Sequence, residues 1–427
     1  MEAECVGVLG MAKLLIHGAK KLQGEVRIHG AKNSTLPLMA ASLACGGTCV
    51  LHNCPSLSDV DTSERILRHL GCGVTHTGGD ITIDPLPMER CDIPDGLMRE
   101  MRSSIIFLGA IVARMGRAVL SYPGGCELGP RPIDLHLSAL RRMGVVIRED
   151  HGQLDCTVPN GLHGTAISLA FPSVGATENI LIAAVLAEGT TVINNAAREP
   201  EIWDLADFLV SCGARISGAG ESTITVEGVP RLSGCEHRVI PDRIAAATYL
   251  AAGAATGSTL TVTSIEPRHL EPIFPVFEES GCALLTDGDR VRIVPPPRLC
   301  RVKAVRTMPY PGFPTDAQAP MMSMLTVADG TSVFVENIFE SRYKHVGELL
   351  RLGANIKVEG RVAIVDGVER LSGAPVEATD LRGGAALVVA GLAAYGVTEI
   401  SGLNHLDRGY ENLEGNLAAL GAEIVRV

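Results

Sequence analysis

The sequence predicts an α/β protein of two lobes, each made of three repeats with buried helices and sheets on the outside. Two glycine markers recur in phase six times along the 427 residues. The first helix of every repeat is apolar nearly all round, as a helix buried on every side must be. With 46% hydrophobic and 20% charged residues, the chain can also fill more than one core.

The first marker, two apolar residues, a short spacer and a glycine opening a strand, occurs at LRHLGCGV, LRRMGVVI, LVSCGARI, FEESGCAL, LLRLGANI and LAALGAEI. Its glycines are Gly71, Gly144, Gly213, Gly281, Gly353 and Gly421. The second, a glycine between an apolar helix and a short strand, falls at Gly47, Gly116, Gly189, Gly257, Gly330 and Gly396. Together they define a unit of roughly 70 residues. A glycine just past a helix fits the left-handed position where a Cβ is strained. Each unit therefore reads as strand, apolar helix, Gly, strand, amphipathic helix, Gly, strand. The apolar helices are expected over 34–45, 104–115, 177–188, 244–256, 317–328 and 384–395. The second helices, such as 59–70 and Pro200–Ser211, carry a polar face.

Six units divide as three and three, and the segment 13–28 needs a partner. It is placed with the C-terminal half, giving one lobe of 32–240 and another of 1–31 with 241–427. The crossing falls near 239–242, and the ligand site is expected in the cleft between lobes.

Composition excludes several function classes. A net charge of −11 and only 4% aromatic residues speak against a nucleic-acid surface or an anionic-membrane surface. Any anionic ligand needs a local basic cluster. Twelve cysteines without framework spacing indicate reduced thiols in a cytoplasm. The first ten residues, MEAECVGVLG, read as a start-site extension without a basic leader region. The longest uncharged stretch, 33–58, is broken by Gly46-Gly47 and Pro55, so no membrane span is expected.

The residues opening the apolar helices are polar: Lys32-Asn33, Arg102, Ser173-Val174-Gly175, Asp242-Arg243, Thr315-Asp316 and Asp380-Leu381-Arg382. Helix N-termini attract anions and disfavour cations, so Lys32, Arg102, Arg243 and Arg382 are candidates for gripping a shared anionic ligand. Capping accounts for each position singly; ligand binding accounts for the six together. The loop YPGGCELGPRPIDLH, 122–136, cannot form regular structure and carries Cys126 among Glu127, Arg131, Asp134 and His136. A thiol there is either an inert loop residue or, with cations near it, an acid, base or nucleophile. NHLDRGYE, 404–411, puts Arg408 on a loop. Cys45, Cys49, His52 and Cys54 suggest zinc, but without a second ligand pair they are read as structural, and no metal is expected.

GAKN at 30–33, MRSS at 101–104, PGGCELGPRPIDLH at 123–136, AAREPEI at 196–202, PDR at 241–243, FPTDAQAP at 313–320, ATDLR at 378–382 and DRGYE at 407–411 closely resemble one branch of the enolpyruvyl transferases. That branch is the UDP-N-acetylglucosamine 1-carboxyvinyltransferases, and the resemblance spans roughly 13–427. It implies an inside-out α/β barrel in two lobes. The implied reaction transfers enolpyruvyl from phosphoenolpyruvate to the 3′-hydroxyl of UDP-N-acetylglucosamine, releasing phosphate through a tetrahedral ketal, without metal or organic cofactor. Asp316 matches the base for the sugar hydroxyl, and Cys126 the loop thiol that serves as general acid and as target of fosfomycin-type epoxides. Lys32, Asn33, Arg131, Arg382 and Arg408 match the groups that hold phosphoenolpyruvate, and Asp380 is expected to face the reacting carbons. Asn33, Arg102, Arg131, Pro132, Ile133, Asp134, Leu135, Ser173, Val174, Gly175, Asp316 and Ile338 match the nucleotide-sugar contacts. Asp242-Arg243 is read as a cap and hinge salt bridge. Ile106 stands where some members carry Trp, and Phe171 where some carry Lys.

Two alternatives stay open, the second from another class. The shikimate branch should open on a Lys-Ser-Lys type motif in place of GAKN and lack the thiol loop. A catalytically silent paralogue that binds nucleotide sugar and regulates the pathway should have lost Cys126, Asp316 or Arg408, all of which are present.

Overall fold

The computed structural model describes residues 12–124 and 133–427. Six buried helices organise it: α1 (Lys32–Ala41), α2 (Phe107–Met115), α3 (Val174–Ala184), α4 (Arg243–Ala255), α5 (Thr315–Leu325) and α6 (Leu381–Ala393). Most begin one to three residues before the expected start, because the polar openings are themselves helical. The second repeat differs: Arg102–Ile106 forms a separate 3-10 turn ahead of α2.

Two hydrophobic cores form. One draws on residues from Leu36 to Val239; the other combines Leu14 to Ile28 with Ile244 to Ala422. In the second core α4, α5 and α6 pack on one another, and Ser323 Oγ of α5 donates to Ala386 O of α6 at 2.6 Å. In the first, α2 crosses α3 so closely that a Cβ on Gly109 would lie 2.4 Å from Asn179 O. Glycine is required there, and the Gly109 N–H donates to Asn179 Oδ1 at 2.6 Å.

The repeat carries one more strand than the sequence reading gives it. In the third unit Ala166–Ser168 lies parallel to Thr190–Asn194, and the final strand is a hairpin, Arg215–Ser217 with Thr223–Glu227. Five sheets of four strands and one of three follow. Eleven of the twelve marker glycines adopt positive φ; Gly47 does not. Gly47 instead allows close approach to Gly234, whose nitrogen a Cβ there would meet at 3.0 Å.

The chain threads between the cores twice. Leu14–His17 pairs with Val397–Ser401 and Glu423–Arg426, and Gly24–Arg27 runs parallel to Leu260–Thr263. Glu236–Arg238 returns to Cys49–His52 in the first core. The two crossing segments pair with each other: Ala31 N donates to Ile240 O at 2.7 Å and Asp242 N to His29 O at 2.9 Å. Gly30 lies between them, where a Cβ would sit 1.8 Å from Asn53 O.

Candidate active site

A cavity of about 670 Å3 lies between the two cores, and the openings of five repeats line it. They are Lys32-Asn33 of α1, Arg102 ahead of α2, Ser173-Val174-Gly175 of α3, Arg243 of α4 and Thr315-Asp316 of α5. Ser173 caps α3, its Oγ accepting from Ala176 N at 3.3 Å.

The sixth opening stands behind the wall. Asp380 caps α6, with Oδ2 accepting from the N–H groups of Arg382 and Gly383 at 3.2 and 3.0 Å. Its placement facing the reacting carbons therefore has no counterpart on the described cavity wall. Arg243 departs in the other direction. Asp242 does cap α4, through Ile244 N and Ala245 N at 2.8 and 2.9 Å, but Arg243 also lines the cavity. It forms a bidentate pair with Glu201 at 3.0 and 3.2 Å, joining the cores.

Carboxylates hold the cations of the site in place. Asp59, on the helix Ser58–His69, accepts from Lys32 Nζ at 2.5 Å and from Arg408 Nε at 2.9 Å. Arg408 belongs to the turn Leu406–Arg408 of the second core, so this pairing also bridges the cores. Burial pushes the Asp59 carboxyl up, but the two cations outweigh it and the net shift is downward. Burial lowers Lys32 as well, only partly offset by Asp59.

Asp316 is clamped by two arginines. Its Oδ1 accepts from Arg342 Nη2 at 2.9 Å, and its Oδ2 from Arg382 Nη2 at 3.1 Å. Both arginine side chains are 2% exposed while that of Asp316 is 28% exposed, so the carboxylate alone reaches the cavity. Burial raises its pKa, yet Arg382 and Arg342 pull it far below the usual carboxylate range. Arg382 in turn lies over the Tyr410 ring at 5.4 Å.

A second acidic group, Glu178, Glu199 and Glu201, also lines the cavity. Glu178 is buried on α3, and burial together with the nearby Glu201 and Glu199 charges pushes it up to about 8. Its folded-state value exceeds the ordinary 4.5, so the folded chain binds the extra proton and loses stability as pH rises from 4.5 through about 8. Glu178→Gln removes that dependence. Its Tm should gain on the wild type by ~4 °C or more between ~pH 6 and ~pH 9. A constant Tm difference across that range, read by scanning calorimetry, would show that Glu178 titrates normally.

The remaining expected contacts are distributed as follows. Ile133, Asp134 and Leu135, at the start of the helix Asp134–Arg142, line the cavity, as do Ile338, Ile106 and Phe171. Cys126, Arg131 and Pro132 lie outside the described residues. Sequence reasoning missed Asp59, Arg342, Glu178, Glu199 and Glu201. Glu178, a charge in the middle of an apolar helix, left a local signal, and Glu199 and Glu201 fall within AAREPEI; Asp59 and Arg342 left none. Among the described residues, the group of ligand-type side chains close enough to share an ion is Cys45, Cys49 and Cys212, away from the cavity. His52 instead faces Asp80 at 3.1 Å, and Cys54 Sγ lies 3.4 Å from Leu51 O.

Residues 16–417 match the family model described as EPSP synthase (3-phosphoshikimate 1-carboxyvinyltransferase). The chain is 52% identical over 417 residues to UDP-N-acetylglucosamine 1-carboxyvinyltransferase 2 of Caldanaerobacter subterraneus subsp. tengcongensis, covering 98% of this chain and all of that one. It is 49% identical over 431 residues to UDP-N-acetylglucosamine 1-carboxyvinyltransferase 1 of Symbiobacterium thermophilum, covering 100% and 97%. Among solved structures it resembles the enolpyruvyl transferase NikO from Streptomyces tendae, with TM-score 0.89, 28% identity and coverage of 98% and 99%. An EPSP synthase from Acinetobacter baumannii, at TM-score 0.77 and 17% identity, covers 97% and 100% and shares the fold.

Proposed function

The chain belongs to the EPSP synthase family of enolpyruvyl transferases, with the family's inside-out α/β fold, and from that premise we propose that it is a UDP-N-acetylglucosamine 1-carboxyvinyltransferase. It transfers enolpyruvyl from phosphoenolpyruvate to the 3′-hydroxyl of the nucleotide sugar and releases phosphate, supplying a peptidoglycan precursor. The observation that carries this reading is the convergence of five helix openings from two cores on one cavity. Relatives near half identity over the whole chain favour the nucleotide sugar over shikimate phosphate as acceptor.

In the reaction, Asp316 takes the proton of the 3′-hydroxyl as its oxygen bonds to C2 of phosphoenolpyruvate. Cys126 delivers a proton to C3, giving the tetrahedral ketal. Loss of a proton from C3 and cleavage of the C2–O bond to phosphate then restore the double bond. Lys32, Arg131 and Arg408 grip the phosphate and carboxylate, and Asn33 adds a neutral contact. Arg382 holds Asp316 from behind the cavity wall, and Asp380 caps the helix that carries Arg382. Arg102, Ser173 to Gly175, Ile133 to Leu135 and Ile338 hold the nucleotide sugar. The resident pairing of Lys32 and Arg408 with Asp59 keeps these cations oriented before the anionic substrate competes for them. The twelve cysteines without framework spacing fit a reducing cytoplasm, where we place the enzyme. Among the described residues no helix is long and apolar enough to cross a membrane.

The test is phosphate release by the full chain. Release with both UDP-N-acetylglucosamine and phosphoenolpyruvate, and not with shikimate 3-phosphate in place of the sugar, is expected. The opposite acceptor preference, or no release with either, would overturn the assignment.

The acceptor touches both cores, so its binding should favour a closed arrangement of the 32–240 lobe on the lobe of 1–31 and 241–427. Solution scattering should show a smaller radius of gyration with UDP-N-acetylglucosamine. The rate at which a fosfomycin-type epoxide alkylates Cys126, followed by peptide mapping, should change on adding it. Neither quantity moving would sink the closure.

A further inference from the structure

Four cysteines from three distant pieces of chain meet at the far end of α1. Cys45, Cys49 and Cys212 are buried, and their sulfurs all lie within 4.8 Å of one another. Cys212 Sγ is 3.2 Å from Cys235 Sγ. Cys45 and Cys49 flank the turn between the 3-10 turn Ser42–Ala44 and the strand Cys49–His52; Cys212 ends the helix Pro200–Ser211; Cys235 precedes the strand Glu236–Arg238.

The backbone around them is tightly fixed. Gly46 N donates to Leu232 O at 2.9 Å, Val50 N to Cys235 O at 2.9 Å and Ser233 N to Cys212 O at 2.8 Å. A Cβ on Gly46 would lie 2.8 Å from Leu232 O, and one on Gly234 only 2.0 Å from Thr48 O. The glycines let these segments close to backbone contact, which brings the four thiols together.

The cysteines are not part of the repeat's own pattern. At the position of Cys45, two before the marker glycine, the other repeats carry Arg114, Ala187, Ala255, Ala328 and Ala394. In four of these five repeats an alanine suffices for packing there. A tetrahedral zinc thiolate site with Zn–S near 2.3 Å has sulfur–sulfur edges of ~3.8 Å; the Cys45, Cys49 and Cys212 sulfurs lie within 4.8 Å of one another, and Cys235, 3.2 Å from Cys212, completes the set by turning its side chain toward them. The Cys45-x3-Cys49 spacing suits one ligand pair. The second pair, absent from local sequence, is Cys212 with Cys235.

We propose that Cys45, Cys49, Cys212 and Cys235 bind one Zn2+ as a structural thiolate site, separate from the substrate cavity. On binding, four thiols release four protons to solvent and the ion takes four thiolate sulfurs, with no change in oxidation state. Arg114, whose Nη1 donates to Cys45 O at 3.0 Å, places a cation beside the resulting negative charge. A disulfide between Cys212 and Cys235 is the competing use of this geometry, but it requires an oxidant and leaves the convergence of Cys45 and Cys49 without a purpose. The ion ties the first repeat of the lobe to the third, at the root of the strand that leads into the crossing segment.

The experiment is metal analysis of the full chain purified and reconstituted with zinc under reducing conditions. A tetrathiolate site predicts ~1 zinc per chain, released when thiols are titrated with a mercurial. Cys49→Ser and Cys212→Ser should each lose it, while catalysis at low temperature persists and Tm falls. Should the variants fail to fold, cobalt substitution of the wild type decides: the intense thiolate-to-cobalt absorption of a tetrahedral sulfur site must appear. Lack of stoichiometric zinc together with lack of that absorption would overturn the site, as would a Cys212–Cys235 cross-linked peptide from reduced-grown protein.

Discussion

Asp316→Ala is expected to lower kcat by ~10²-fold or more, the loss typical of removing a positioned general base. Its carboxylate is the one member of the Arg342–Asp316–Arg382 group with access to the cavity. The two guanidiniums keep it ionised through the working pH range, so it is always ready to accept a proton, yet they also weaken it as a base. The same variant leaves Arg342 and Arg382, both buried, without their shared counter-charge, which costs ~3–5 kcal/mol of stability. Turnover and Tm should therefore fall together in Asp316→Ala. Asp316→Glu, which keeps the charge, should regain most of the stability and little of the rate. A kcat within ~3-fold of wild type in the alanine variant would remove Asp316 from the chemistry.

Lys32→Ala should reduce kcat/KM for phosphoenolpyruvate by ~10²- to 10³-fold, the scale measured for losing one preorganised donor to a developing oxyanion. Lys32 is 7% exposed and directed at Asp59, so it offers a single, well-placed ammonium at the start of α1. KM for the nucleotide sugar should move far less. Asp59→Asn gives the contrasting result. It frees Lys32 and Arg408 from their common carboxylate, so inorganic phosphate should inhibit that variant more strongly than the wild type. Steady-state kinetics with phosphate as competitor reads both outcomes, and equal phosphate inhibition in wild type and Asp59→Asn would deny that Asp59 restrains these cations.

The repeat was legible because glycine markers and all-round apolar helices are local signals. The second strand of each closing hairpin was not: Asp80–Asp84, Gln153–Thr157 and Arg290–Val294 do alternate buried and more exposed residues, but over five residues only and with no marker glycine to open them. In the site, the helix openings showed themselves as cations at helix N-termini. Asp59 looked like the polar face of an amphipathic helix, because its partners are Lys32 and the far-removed Arg408. Cys212 and Cys235 were invisible as ligands for the same reason: only closure of the first core brings them to Cys45 and Cys49.

The double crossing of the chain orders events during synthesis on the ribosome. Leu14–His17 and Gly24–Arg27 emerge first; Leu260–Thr263, the partner of Gly24–Arg27, follows only after the first core, and Val397–Ser401 and Glu423–Arg426, the partners of Leu14–His17, come much later still. Residues 32–240 can complete a core, returning strand included, while the N-terminal strands wait with unpaired edges. The edges of Leu14–His17 stay open to mispairing and aggregation until Val397–Ser401 and Glu423–Arg426 are available to cover them. Slowing elongation after the first core would lengthen that exposure, whereas moving the chain start to residue 32 and joining 12–31 behind 427 would abolish it.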